Sequence, residues 1–170
     1  TDTGNFEHGS YTSNTFRLVA RLLENGIEKD RILNLLYSNF SETRLRLQGF
    51  ALNERMEVLP EYQTAYIWLK KDDLDAYNYI KGDTEGFVNL PLSIKGIIFT
   101  AFFVEKDGFV KLSFRSKGNF PSNEFASQFF SGGGHMNASG GEYKDTMENS
   151  ISYFLKVLKE NFKRFNGNEN

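Results

Sequence analysis

The chain contains no cysteine. Disulfides, thiolate zinc sites and cysteine nucleophiles are thereby excluded. Histidine is nearly as scarce, with His8 and His135 the only imidazoles in 170 residues. A metal site built mainly on histidine within this chain is close to excluded, and carboxylates would have to supply most of the ligands. No run approaches the ~20 apolar residues of a membrane span, so no membrane partner is expected. Excess charge is missing too, with a formal net charge of −2. That excludes a binder of long duplexes working by bulk electrostatics; a nucleic-acid partner would be short or gripped locally. What is abundant is phenylalanine, 17 residues, for which core packing is the first expectation. The length fits one domain, or one small domain plus part of another.

Residues 1–11 are polar and glycine-containing, as loops are. A helix is predicted from Ser13, with Phe16, Val19, Ala20 and Leu23 on one face and Gly26 at the C-cap. A second helix runs over Lys29–Phe40 with Ile32, Leu35 and Leu36 inward. Ser41 caps a third, with Leu45, Leu52 and Met56 on one side, and Pro60 ends it. No strand pattern shows up to that point. The composition then changes. Gln63–Leu69 reads as a strand, a short acidic helix follows near Lys71–Ile80, and Asp83-Thr84-Glu85-Gly86 is a turn. Gly96–Glu105 is a nearly continuous apolar run, as in a strand buried on both faces. Lys106-Asp107-Gly108 is a hairpin turn. Phe109–Arg115 alternates with period two, placing Lys111, Ser113 and Arg115 on a polar face. Ser122 can cap a helix carrying Phe125, Ala126, Phe129 and Phe130. Asp145 and Glu148 have capping-box spacing and open a last helix with Ile151, Phe154, Leu155, Leu158 and Phe162 on one face.

Three places suggest chemistry. Ser131–Gly141 reads S-G-G-G-H-M-N-A-S-G-G. Consecutive glycines lose much backbone entropy on folding, and close approach of the backbone to an anion is one compensation. His135 stands where a short helix is expected to start, which would add the positive end of a helix dipole. Its side chain can donate to a phosphate oxygen in either protonation state. A flexible surface linker is the competing reading of the glycines. Arg115, in Ser113-Phe114-Arg115-Ser116-Lys117-Gly118, offers a planar fork to a phosphate and Lys117 a point charge; a solvated strand end is the alternative. Asp2, in a Gly-containing turn, suits a metal ligand or a turn cap. Asp83 and Glu85 form a further carboxylate pair, more simply read as turn formers.

Phe114-Arg115-Ser116-Lys117, followed by Gly132-Gly133-Gly134-His135-Met136-Asn137-Ala138-Ser139-Gly140, resembles the DHH-associated substrate-binding domain of the DHH phosphoesterases. Asp83–Asn89 is similar to a segment of the branch with oligoribonuclease and 3′-phosphoadenosine 5′-phosphate phosphatase activity. Thr1-Asp2-Thr3-Gly4-Asn5-Phe6 resembles the last metal motif of the family's catalytic domain. The resemblance covers essentially the whole chain. It implies an α/β fold: a helical linker from the end of a DHH catalytic domain, then a mixed β-sheet DHH-associated domain flanked by helices. The implied boundaries are 1–40 for the end of the catalytic domain, 41–60 for the linker helix and 61–170 for the substrate-binding domain. Carried over by motif, Arg115 and Ser116 match phosphate contacts, Gly133, Gly134 and His135 match the substrate loop, and Asp2 matches the final metal ligand.

The resemblance further implies a cytoplasmic, manganese-dependent hydrolase with two Mn2+ ions. Its partners would be short RNA or DNA oligonucleotides or adenosine bisphosphate, and it leaves room for a homodimer. Glu7 stands where many relatives carry a basic residue. The Asp-His-His triplet and the earlier His-x-Asp-x-Asp motif do not occur here. One carboxylate cannot build a two-metal centre with ions about 3.5–4 Å apart. The expectation is therefore a C-terminal fragment that binds nucleotide and hydrolyses nothing by itself. Two other readings stand beside it. The parent could cleave a cyclic dinucleotide, or the module could only bind RNA, as the similar C-terminal domain of alanyl-tRNA synthetases does.

Overall fold

The structure, a computed structural model, describes residues 12–167. By internal contacts the chain divides into Thr1–Phe40 and Ser41–Asn170.

The first unit holds α1 (Ser13–Glu24) and α2 (Lys29–Tyr37). Thr12 N donates to Thr15 Oγ1 at 3.2 Å at the start of α1, and Gly26 takes the expected left-handed turn at φ 81°. The helical periods are real, but the predicted inward faces are not buried. Neither helix contains a buried residue, and Phe16, Leu23, Ile32, Leu35 and Leu36 are all exposed. Two short amphipathic helices have too little opposing surface to cover both stripes.

The second unit is built on a six-stranded mixed sheet. Its order is β1 (Met56–Leu59), β2 (Thr64–Leu69), β3 (Phe99–Lys106), β4 (Phe109–Ser116), β6 (Ala138–Tyr143), β5 (Gly133–His135). Only β2 and β3 run parallel; the other neighbours are antiparallel. A parallel pair needs a long crossover. Here it contains α4 (Lys71–Ala76) and a 3-10 segment, Phe87–Ser93. That crossover and α3 (Glu42–Glu54) cover one face, packing Leu47, Ala51, Leu74, Phe87 and Val88 on Ile67, Leu69, Phe102 and Val104. The opposite face lies under α5 (Ser122–Phe129) and α6 (Met147–Phe165).

Most of the described phenylalanines pack on that opposite face. Phe99 stacks on Phe120 at 4.4 Å and meets Phe125 edge-on at 5.2 Å. Phe154 from α6 meets Phe103 edge-on at 5.4 Å. Such offset and edge contacts add about 0.5–1.5 kcal/mol each beyond their area burial.

Several local expectations are corrected. The third helix ends at Glu54, not at Pro60; Met56–Leu59 is a strand, paired with Thr64–Ile67. Pro60 instead opens a short 3-10 turn, and Gln63 closes it in the left-handed region at φ 44°. Ser41 does cap α3, accepting from Arg44 N at 3.1 Å. The buried positions are Leu47 and Ala51, however, while Leu45 is 54% exposed. Helix α6 is capped by Thr146, which accepts from Asn149 N at 3.2 Å, not by an Asp145–Glu148 box. Asp145 accepts from Asn149 Nδ2 at 2.7 Å, and Glu148 pairs with Lys70. On α6 Val157 is buried and Leu155 only partly so.

Candidate phosphate-binding site

The site follows from the register of three antiparallel strands. Paired residues on neighbouring strands share a face. His135 pairs with Ala138, Ala138 with Arg115, and Arg115 with Thr100. One residue pair further along, Gly133 pairs with Gly140 and Gly140 with Ser113. His135, Gly133, Arg115, Ser113 and Lys111 therefore lie on one face. Val110, Leu112 and Phe114 point the other way and are buried against α5 and α6. With strands about 4.8 Å apart, His135 and Arg115 stand roughly 10 Å apart at the backbone. Between them lie Ala138, Gly140 and Gly133, so the floor is almost free of side chains.

The glycines separate into two groups. A methyl group at Gly132 would stand 2.0 Å from Gly140 O, and one at Gly134 would stand 2.7 Å from Ala138 O. At Gly141 it would meet Phe130 O at 2.5 Å. Gly134 also has φ 141°. Backbone packing explains these three. A methyl group at Gly133 meets nothing within 4 Å; it would project onto the open face that β5 shares with Arg115. Packing gives no reason for glycine there.

Arg115 is half-buried, and Nη1 donates to Phe114 O at 2.8 Å. Burial pushes its pKa down, and no carboxylate offsets that burial. A guanidinium nevertheless stays charged at neutral pH. The result is a partly desolvated fork with unused donors above a polar face. An anion with paired oxygens suits it best.

The hairpin carrying His135 is held by side chains outside that face. Asn137 Nδ2 donates to Ser116 Oγ at 2.9 Å and to Gly118 O at 3.2 Å. Ser116 Oγ donates to Phe120 O at 2.7 Å, and Ser116 N to Asn137 O at 3.1 Å. Ser116 is buried and turned away from Arg115, so the structure does not bring its hydroxyl into the site. Its place is beneath the turn, fixing the hairpin next to β4. Ser122 Oγ donates to Met136 O at 3.0 Å and accepts from Ser139 Oγ at 2.9 Å. Ser122 is thus the first residue of α5 but not its side-chain cap. The short helix expected at His135 is absent: Gly133–His135 is an edge strand, so no helix dipole acts there. Lys117 Nζ donates to Leu92 O and does not join Arg115.

Residues that the motifs did not single out complete the face. A cavity of about 400 Å³ opens beside Arg115, between β3, β4 and the segment Tyr79–Val88. Lys106, Lys111 and Ser113 line it. The strand alternation was the available signal for Lys111 and Ser113. The segment is pinned from α3, where Arg44 Nη1 donates to Gly82 O at 2.8 Å and Nη2 to Glu85 O at 2.9 Å. Asp83 Oδ2 accepts from Ile80 N at 2.9 Å, a turn-forming role. Glu85 lines the cavity.

Among the described residues no three His, Cys, Asp or Glu side chains gather as a metal site. Asp2 lies outside the described residues. No helix among them is long and apolar enough to cross a membrane.

Comparison with known proteins agrees with this architecture. A Bacteroides fragilis crystal structure, of an exopolyphosphatase-related protein, superposes with a TM-score of 0.92 at 44% identity, covering 97% of this chain and 48% of that one. The Bacillus subtilis bifunctional oligoribonuclease and PAP phosphatase NrnA is 32% identical over 142 residues, 82% of this chain and 43% of that protein. The Thermus thermophilus protein of the same name is 26% identical, covering 96% of this chain and 48% of its own length. The chain thus spans about half the length of these curated relatives. A pGpG-specific phosphodiesterase of Vibrio cholerae, at 11% identity and a TM-score of 0.53, shares the fold. The DHHA1 domain model matches residues 62–164, which contain β2 to β6, Arg115 and the whole glycine hairpin. The match takes in more than half of the chain, and the DHH-family resemblance of its motifs is borne out: the chain belongs to the DHHA1 domain family.

Proposed function

We propose that this chain is the substrate-holding part of a DHH-family phosphoesterase that hydrolyses short oligonucleotides, 3′-phosphoadenosine 5′-phosphate, or both. The observation that carries the reading is Arg115, a half-buried guanidinium whose burial no carboxylate offsets, placed in register with His135 across a floor of glycine and alanine. A phosphate takes the Arg115 fork, His135 donates from the far side, and Gly133 lets the ligand approach the backbone. Ser116 serves by holding the hairpin. Relatives named oligoribonuclease and PAP phosphatase support the substrate class.

In this reading residues 1–40 are the end of a catalytic domain, 41–60 link it to the substrate-binding domain, and 61–170 form that domain. Manganese ions would supply the activated water in the parent enzyme. The described residues do not fit such a centre, so their task is to bind and orient the phosphate ester. The chain alone binds nucleotide without turning it over.

Calorimetric titration with adenosine 3′,5′-bisphosphate tests the reading. Arg115→Ala is expected to weaken binding roughly tenfold to a hundredfold, the worth of one charge-assisted contact. Equal affinity in both proteins would remove Arg115 from the site.

A further inference from the structure

Two directions lead away from Arg115 on this face. Across the strands lies the glycine floor with His135. Along β4 lie Ser113 and then Lys111, about 13 Å from Arg115 at roughly 3.3 Å per residue. The second direction runs over the cavity of about 400 Å³, which is within the roughly 300–1,000 Å³ of small-molecule sites. A single phosphate site at Arg115 and His135 gives this cavity no task.

The cavity has the parts of a nucleotide subsite. Its floor is apolar, made by Val88, Phe102 and Val104, all buried. Its rim carries Lys106 and Lys111 besides Arg115, against Glu85 on the wall and Glu142, the cross-strand partner of Lys111. Three cations face two carboxylates, a balance that favours an anionic chain at short range without making the surface strongly basic. Tyr79 stands at the edge with Lys106 Nζ 5.6 Å from its ring centroid. A cationic groove with an apolar or aromatic platform is how single strands are held without reading their sequence.

Resting on the function proposed above, we infer that this cavity is the subsite for a second nucleotide of a bound strand. The phosphate of the first nucleotide sits at Arg115. The base of the next lies on the Val88–Phe102–Val104 floor, and its phosphate meets Lys111 and Lys106. The site would then distinguish a dinucleotide from a nucleoside monophosphate, which has neither a second phosphate nor a second base to place there.

The test compares two probes, adenosine 5′-monophosphate and 5′-phosphorylated diadenylate, titrated into this chain. Lys111 is exposed, so Lys111→Ala is not expected to disturb folding, and circular dichroism checks this. Lys111→Ala is expected to weaken diadenylate binding about tenfold and to leave monophosphate binding unchanged, while Lys111→Arg restores the diadenylate affinity. A Lys111→Ala loss that is equal for both probes, or absent for both, overturns the second-nucleotide subsite while leaving the Arg115 site standing. If Arg115→Ala binds both probes like the wild type, the underlying functional reading falls, and the subsite with it.

Discussion

Gly133 and Gly134 are neighbours in sequence, yet different forces select them. At Gly134 a side chain would run into Ala138 O and would have to adopt φ 141°, a backbone region hostile to L residues. At Gly133 there is room, and on the proposed function it is the ligand that would object. Gly134→Ala is therefore expected to cost about 1–3 kcal/mol of stability, as overpacking does. Gly133→Ala should melt like the wild type but bind adenosine bisphosphate more weakly. Thermal melts paired with titrations check both halves; a Gly133→Ala protein that binds normally contradicts the ligand-based explanation. The sequence could show that the glycines were unusual, but not which of them were packing glycines. That depends on contacts with Ala138, Gly140 and Phe130, which only the folded hairpin brings close. For Ser116 the signal was present in the strand itself. A period of two that puts Arg115 on the polar face puts Ser116 on the other, whereas the motif alone groups the two.

The β4–β6–β5 ladder sets the geometry of the site, and its parts were unequally legible. Strand β4 could be read because Val110, Leu112 and Phe114 alternate with Lys111, Ser113 and Arg115. Strand β1 could not. Met-Glu-Val-Leu directly after a helix continues a helical pattern equally well, and the four residues become a strand through non-local pairing with β2. The hairpin at His135 was also hidden, because its turn at Met136-Asn137 is fixed from outside. Asn137 reaches Ser116 and Gly118, and Ser122 reaches Met136. Asn137→Ala removes two hydrogen bonds at that turn. Chemical denaturation should show a loss of roughly 1–2 kcal/mol, together with weaker bisphosphate binding as His135 loses its fixed position. Unchanged affinity at reduced stability would separate the hairpin's support from ligand binding.

At the scale of the molecule, a well-packed sheet domain is joined in sequence to two helices with no buried residues. The phenylalanine content and the apolar β3 run made the sheet core legible. The exposure of α1 and α2 was not, because a helical stripe does not tell what will cover it. The net charge of −2 and the localised cations agree with a small anionic ligand held at one place. With added manganese, the chain alone should release no mononucleotide from a short RNA; robust turnover would contradict its proposed role as the substrate-holding part only. The most direct test of the phosphate site is to follow backbone amide resonances during titration with adenosine 3′,5′-bisphosphate. The account predicts saturable shifts clustered at Arg115, Gly133, His135 and Ala138, with α6 unmoved. No shifts there, or shifts concentrated along α5 and α6, would contradict it.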